Sequence, residues 1–187
     1  MLLQALSKSS RSRYLSRLLL AMMLGLAVSS SNAQSQDYPQ LTRLDKLKAA
    51  YIFNFTKFIS WPDLDTRTPR ETVVVCLAEQ DPLLEFLQAL VANRTVGERQ
   101  LRVEVKPIAV NNRCDLAYLS DAQQPILDVL KEVLIVSSNT SIFQNVATFS
   151  FYEEGKRLRF EIDMQRLQAL ELEISSELLK LARIKKT

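Results

Sequence analysis

The chain has 187 residues, 24% of them charged, and its formal net charge is +3. It contains no histidine and only three glycines, which excludes histidine-based catalytic triads, histidine-ligated zinc sites and the glycine-rich motifs that bind dinucleotides or phosphates. We therefore expect a protein that is not an enzyme and that has no cofactor or metal site, although its many carboxylates leave a paired-carboxylate enzyme as an open alternative.

Residues 1–33 are predicted to be a secretory signal peptide. An eleven-residue apolar run at 18–28 is followed by the small residues of 31–33, and four basic residues lie before it: Lys8, Arg11, Arg13 and Arg17. The run is too short to span a bilayer as a stable helix. Removing this leader lowers the net charge to about −1, so a nucleic-acid partner is not expected.

The rest of the chain is predicted to be a loose tail over 34–43 and one domain over 44–187, exported as a soluble protein. The domain opens with an amphipathic helix that ends at Trp61-Pro62, because the residue before a proline disfavours the helical conformation. Five apolar residues share one predicted buried face of this helix: Leu44, Leu47, Tyr51, Phe55 and Phe58.

Phe53 lies on the opposite side of that helix. Two alternatives follow from its position. Either a neighbouring helix of the same domain covers Phe53, or the residue belongs to a dimer or partner surface.

Strands and helices alternate along the remainder of the domain. A buried strand is predicted at 71–78, followed by a helix from Asp81-Pro82 to about Ala92, with strands at 101–105, 116–119 and 133–136. Residues 125–131 are predicted to be helical and 141–145 to form a turn. A hairpin joins 149–152 to 158–162, and helices follow at 164–170 and 175–185.

This order predicts the α/β class, as a single-domain layered sandwich whose mostly parallel sheet is flanked by helices and carries an antiparallel hairpin near its C-terminal end. The loop of Ser137, Ser138, Asn139 and Thr140 follows the fourth buried strand, which is where open α/β sheets place ligand crevices. Its polar side chains suit a small ligand, or alternatively the capping of the next turn.

Cys76 and Cys114 are the only cysteines, and an even number in an exported protein favours a disulfide. The first lies in a predicted buried strand and the second just before another, so neighbouring strands would bring them together. A bridge would stabilise the fold by about 4 kcal/mol in the chain-entropy treatment. The alternatives are two buried thiols that never meet, and a pair that senses the redox state.

The segment KAAYIFNFTKFISWP at 48–62 strongly resembles the YfiR-like periplasmic proteins, and the resemblance continues, in order, through 75–77, 81–82, 113–118, 133–137, 159–163 and 174–182. It implies a homodimeric, non-enzymatic regulator that binds the periplasmic part of an inner-membrane diguanylate cyclase and represses cyclic di-GMP synthesis, with effects on biofilm. It also implies a response to redox or envelope stress and a disulfide between Cys76 and Cys114.

The resemblance further implies that Phe149, Glu161 and Leu167 face the partner, with Phe149 and Leu167 as simple core residues being the alternative. A different reading of the whole chain is a periplasmic small-molecule binding module that signals to another membrane receptor, such as a sensor kinase.

Overall fold

A computed structural model describes residues 41–62, 69–110, 113–120, 130, 132–138 and 146–185. The described helices are α1 (Arg43–Phe58), α2 (Leu83–Val91), α3 (Met164–Ala169) and α4 (Ser176–Leu181). The described strands are β1 (Ile59–Ser60), β2 (Thr72–Leu77), β3 (Thr95–Val96), β4 (Leu101–Pro107), β5 (Leu116–Leu119), β6 (Leu134–Ser137), β7 (Phe149–Glu154), β8 (Arg157–Ile162), β9 (Glu173–Ile174) and β10 (Arg183–Ile184).

Eight of these strands form one sheet in the order β10-β8-β7-β6-β5-β2-β4-β3. Pairing is parallel from β4 through to β7, while β7 and β8 form an antiparallel hairpin at one end of that parallel block. A separate two-stranded sheet joins β1 to β9. The predicted fold class, a mostly parallel sheet with helices and a C-terminal hairpin, is confirmed.

The hairpin turn is tighter than predicted. Glu154 pairs with Arg157, so only Gly155 and Lys156 form the connection. Gly155 has a φ of 62°, a conformation that favours glycine in two-residue turns.

Helix α1 begins at a capping box in which the Thr42 hydroxyl accepts from the Asp45 N–H and the Asp45 carboxylate accepts from the Thr42 N–H. Thr42 and Arg43, which were predicted to belong to the loose tail, are the N-cap and the first residue of α1. The helix lies on the sheet through aromatic contacts. The Phe55 ring stacks on Phe149 with centroids 4.8 Å apart and meets Phe160 edge-on at 5.1 Å.

The predicted buried face of α1 is confirmed only in part. Phe55 is fully buried and Leu44, Tyr51 and Phe58 are partly buried against the core, but the fully buried arc is wider and lies mostly to one side of the predicted face. Leu47 is 40% exposed, whereas the buried residues of the helix are Ala49, Ile52, Phe53, Phe55 and Thr56. The reason is that α1 contacts α2 and α4 as well as the sheet. Neighbours on several sides bury a wider arc of the helix, rotated away from the most apolar stripe that the sequence shows.

The end of the chain also differs from the prediction. Helix α4 stops at Leu181 and is followed by β10, parallel to β8, instead of continuing to residue 185. The Lys185 N–H donates to the carbonyl of Ile162 at 2.9 Å, so the sheet supplies hydrogen bonds that a longer helix would have made internally. Leu181, the last residue of α4, is 62% exposed.

The leader, the tail up to residue 40, the predicted helix at 125–131 and the predicted turn at 141–145 fall wholly or largely outside the described residues. In the part of the chain that the structure describes, no helix combines the length and apolar character needed to cross a membrane.

Candidate partner-binding surface

The three predicted partner-facing residues lie in two different environments. Phe149 and Leu167 are both buried in the core beneath α1. Their burial agrees with the core alternative, and of the three residues only Glu161 reaches the surface. Glu161 lies on β8, and its carboxylate reaches the protein surface.

The alternation of β8 explains this split. Leu158, Phe160 and Ile162 point into the core, so the residues between them face away from it. Glu161 is one of those outward residues, and it lies opposite Arg183 of β10 on the same face of the sheet.

Arg183 binds Glu161 through two N–H groups. Its Nε and Nη2 donate to the same carboxylate oxygen, Oε2, at 3.1 and 2.7 Å. The hydrogen bond to Glu161 raises the pKa of Arg183 above that of a free arginine, by more than the small loss of hydration lowers it.

Tyr152 completes the cluster. The guanidinium carbon of Arg183 lies 3.8 Å from the centroid of the Tyr152 ring, a close cation–π contact. We call Tyr152, Glu161 and Arg183 the corner surface. Tyr152 and Arg183 were not singled out from the sequence as partner residues. The alternation of apolar residues along β7 and β8 is the sequence pattern that predicts outward-facing positions at Tyr152 and Glu161.

Lys185 and Asp163 form a second ion pair beside the corner surface. The Lys185 Nζ lies 3.3 Å from Asp163 Oδ2, while Asp163 Oδ1 accepts from the Arg166 N–H at the start of α3. Asp163 is therefore an N-cap as well as an ion-pair partner.

Cys76 and Cys114 form the predicted disulfide, with Cα atoms 5.7 Å apart. Parallel pairing of β2 with β5 brings them together, since Cys76 lies on β2 and Cys114 comes two residues before β5. The bond lies on the face of the sheet opposite α1, in an apolar cluster with Val74 and Ala117.

An ion network begins at the next residue, Asp115. Its Oδ1 contacts Arg70 Nη1 at 2.8 Å and Arg113 Nη2 at 2.7 Å, and its Oδ2 accepts from the Val74 N–H at 2.8 Å. Arg70 in turn donates to the carbonyl of Pro62. This network ties the strand beside the disulfide to the chain that leaves α1.

Phe53 is covered within its own subunit. It is 8% exposed, and Arg94 and Lys57 lie over its ring with centroid distances of 5.3 and 6.0 Å. Of the two alternatives from the sequence, the structure agrees with the first, in which the domain itself covers Phe53. We therefore do not assign Phe53 to a dimer or partner surface.

The predicted ligand loop is described only in part. Ser137 is fully buried at the end of β6, and the Ser138 hydroxyl forms a 3.1 Å hydrogen bond with the Tyr118 hydroxyl. Asn139 and Thr140 lie outside the described residues. Within the described ranges there is also no group of three or more side chains arranged to hold a metal ion.

A cleft of about 690 Å³ lies elsewhere, beside the small β1–β9 sheet. Aromatic and charged side chains share its lining, among them Lys57, Phe58, Trp61, Arg99 and Glu173. Arg99 Nη2 donates to the carbonyl of Trp61 at 2.5 Å, which fixes one wall of the cleft.

Residues 45–183, which hold nearly all the described elements, match a protein-family model described as YfiR/HmsC-like. The chain belongs to this family. YfiR-like proteins are periplasmic, regulatory and non-catalytic. A comparison with curated proteins finds no match.

Proposed function

We propose that this protein is a periplasmic regulator that binds the periplasmic part of an inner-membrane diguanylate cyclase and represses the synthesis of cyclic di-GMP. The observation that carries the proposal is the YfiR/HmsC-like match across residues 45–183. Export by the predicted signal peptide at 1–33 would deliver the domain to the compartment where such a partner is accessible.

The corner surface supports the proposal as the place of contact. Arginine and tyrosine are enriched among the residues that dominate binding energy at protein interfaces. Here Tyr152 and Arg183 are already held in a fixed mutual geometry by Glu161, so little side-chain freedom is lost when a partner binds.

The test is Glu161→Lys in cells that contain the cyclase. Reversing this charge should repel Arg183 and disorganise the corner surface, so cyclic di-GMP should rise toward the level of a deletion strain. Glu71→Lys is the matched control, because Glu71 is also a surface carboxylate with an arginine neighbour, Arg102, but lies at the start of β2. Unchanged cyclic di-GMP with Glu161→Lys at normal abundance would contradict the proposal.

A charge-swapped double variant separates a structural role from a binding role. Glu161→Lys combined with Arg183→Glu restores an ion pair of opposite polarity. If the pair only stabilises the sheet, the double variant should recover repression. If the partner reads these charges directly, folding should recover and repression should not.

The regulator acts as a homodimer in this proposal, as the family resemblance implies. Sedimentation equilibrium of the exported protein measures its mass directly. A monomer at the concentration found in the periplasm would remove the dimer from the proposal and leave the cyclase partner in place.

The disulfide is the proposed point at which redox stress acts. Breaking Cys76–Cys114 would release the strand that carries Asp115 and the ion network attached to it. Cyclic di-GMP should then rise when cells are treated with a membrane-permeant reductant, and a Cys76→Ser, Cys114→Ser variant should no longer respond to that treatment.

The cleft favours a second function, a small-molecule binding module that signals to another membrane receptor such as a sensor kinase. Its lining pairs aromatic rings with Lys57 and Arg99, which suits a small ligand with an apolar body and a negative group. Calorimetric titration with small aromatic carboxylates tests it, with Lys57→Ala expected to weaken any binding at least tenfold.

A further inference from the structure

β10 is the last described strand at its edge of the large sheet. The Lys185 N–H donates to Ile162 of β8, and the backbone groups of a strand alternate in direction with every residue. The N–H and C=O of Arg183 and Lys185 therefore face β8, and those of Ile184 face away from it. No described strand pairs with that outer side.

The apolar side chains on the core side of the sheet are also left uncovered at this edge. Ile184 pairs with the fully buried Ile162 and so points to the core side of the sheet, but it is 44% exposed. Leu181, three residues earlier, is exposed as well. Both the sheet and the core beneath it can thus be extended by one further strand, provided that the strand carries an apolar residue opposite Ile184.

The charges of β10 lie on the other face. Arg183 and Lys185 point to the side of Glu161 and Asp163, with which they form ion pairs. Arg183 uses Nε and Nη2 for Glu161, and its side chain is 53% exposed, so a second carboxylate can approach it. Edge strands often resist pairing by carrying charges, and here those charges select the strand that can pair.

A second copy of this chain fits the edge poorly. In an antiparallel two-fold pairing about Ile184, Arg183 of one copy would stand opposite Lys185 of the other. Like charges directly opposite on neighbouring strands are destabilising. A strand with acidic residues on either side of an apolar one instead brings opposite charges to Arg183 and Lys185 and an apolar contact to Ile184.

We infer that β10 is a docking edge for an extended segment of the partner protein, which adds to the sheet as a ninth strand with alternating acidic and apolar side chains. This inference rests on the proposed function, since it states how the partner of that function is held. The two interactions made by the Ile184 backbone give the segment its alignment, and the side chains give it specificity.

The test uses the exported protein and a synthetic peptide of alternating glutamate and valine as the probe, with a lysine–valine peptide as the charge control. The acidic peptide should bind, and the Ile184 amide should become protected from hydrogen exchange when it does. Methylating the peptide nitrogen that donates to the Ile184 carbonyl should weaken binding about fivefold, because that one hydrogen bond is lost, whereas methylating the alternate nitrogens should have little effect.

Ile184→Glu should weaken binding of the acidic peptide at least as much, because it replaces an apolar contact with like charge. Val110→Glu is the matched control, since Val110 is exposed but follows β4 on the far side of the sheet. The inference is overturned by absence of binding, by equal binding of the basic peptide, or by binding that leaves the Ile184 amide unprotected. Protection of that amide in the free protein through self-association would overturn it in favour of a second copy.

Measuring cyclic di-GMP in cells distinguishes a failure of this inference from a failure of the proposed function. If Glu161→Lys raises cyclic di-GMP and Ile184→Glu does not, the protein is a cyclase repressor but β10 is not the docking edge. If Glu161→Lys has no effect, the proposed function fails whatever the peptide does.

Discussion

Two arginine–carboxylate ion pairs in this molecule have nearly equal N–O distances but differ in their exposure to water. Arg70 meets Asp115 at 2.8 Å with both side chains 6% exposed, and Arg183 meets Glu161 at 2.7 Å with side chains 53% and 16% exposed. The difference in hydration, not in distance, decides what each pair does. A buried pair is costly to break, while a hydrated pair contributes little to stability and is available to a partner.

The neighbours of each pair reinforce this difference. Asp115 is occupied by Arg70, Arg113 and the Val74 N–H, so its carboxylate is committed to joining separate parts of the domain. Arg183 lies over the Tyr152 ring and keeps a solvent-facing side. The first pair therefore holds the fold, and the second forms part of a surface.

The largest expected effect comes from breaking the buried pair. Asp115→Asn should lower the free energy of unfolding by roughly 3–5 kcal/mol, because the buried Arg70 guanidinium would lose the carboxylate that it contacts at 2.8 Å. Urea denaturation of the oxidised protein measures the loss. Glu161→Gln is the control at the hydrated pair, and a comparable loss in the two variants would show that burial does not separate the two pairs.

The next effect concerns the disulfide that precedes Asp115. Replacing Cys76 and Cys114 together by alanine should cost about 2–4 kcal/mol, since the bridge closes a loop with a sequence separation of 38. Denaturation midpoints of the variant and the oxidised parent give the value. If chemical reduction of the parent produces no comparable loss, the alanine substitutions themselves, and not the missing bridge, account for the difference.

Removing the hydrated pair should cost much less. Arg183→Ala should change the free energy of unfolding by at most about 1 kcal/mol, the range typical of exposed ion pairs. Thermal and urea unfolding curves are the measurement, with the native-state fold checked by circular dichroism. A loss near that of Asp115→Asn would mean that the corner surface is structural.

The smallest effect is expected on α1. Leu47→Ala should alter stability by about 0.5 kcal/mol or less because Leu47 is largely exposed, whereas Phe55→Ala in the same helix should cost about 3–5 kcal/mol. The pair of urea curves compares two positions that the sequence alone treats as equivalent. Equal losses would show that Leu47 is as closely packed as Phe55, which would contradict its exposure in the structure.

Much of the fold was predictable because its signals are local. Continuous apolar runs marked the parallel strands β2 and β6, Asp81-Pro82 marked the start of α2, and Gly155 marked the hairpin. The short strands β1, β3, β9 and β10 were missed. A strand of only two residues shows no usable periodicity, and its pairing depends on a strand from a distant part of the chain.

The candidate site was predictable only in part. Glu161 was placed outward by the resemblance and lies at the surface, while Phe149 and Leu167 lie in the core. Arg183 was predicted to lie in the last helix. Its contacts with Glu161 and Tyr152 arise because β10 pairs in parallel with β8, and no local sequence pattern predicts that pairing.

The sequence by itself determined the α/β class, the helix that opens the domain, the family resemblance and the two cysteines available for a bridge, since these follow from residue order and spacing. Only the tertiary structure decided how far burial extends around α1 and that Phe53 is covered by its own subunit. It also decided that the Arg70–Asp115 pair is buried and the Arg183–Glu161 pair is hydrated. Burial depends on which elements pack against a residue from afar, and that information is spread over the whole chain.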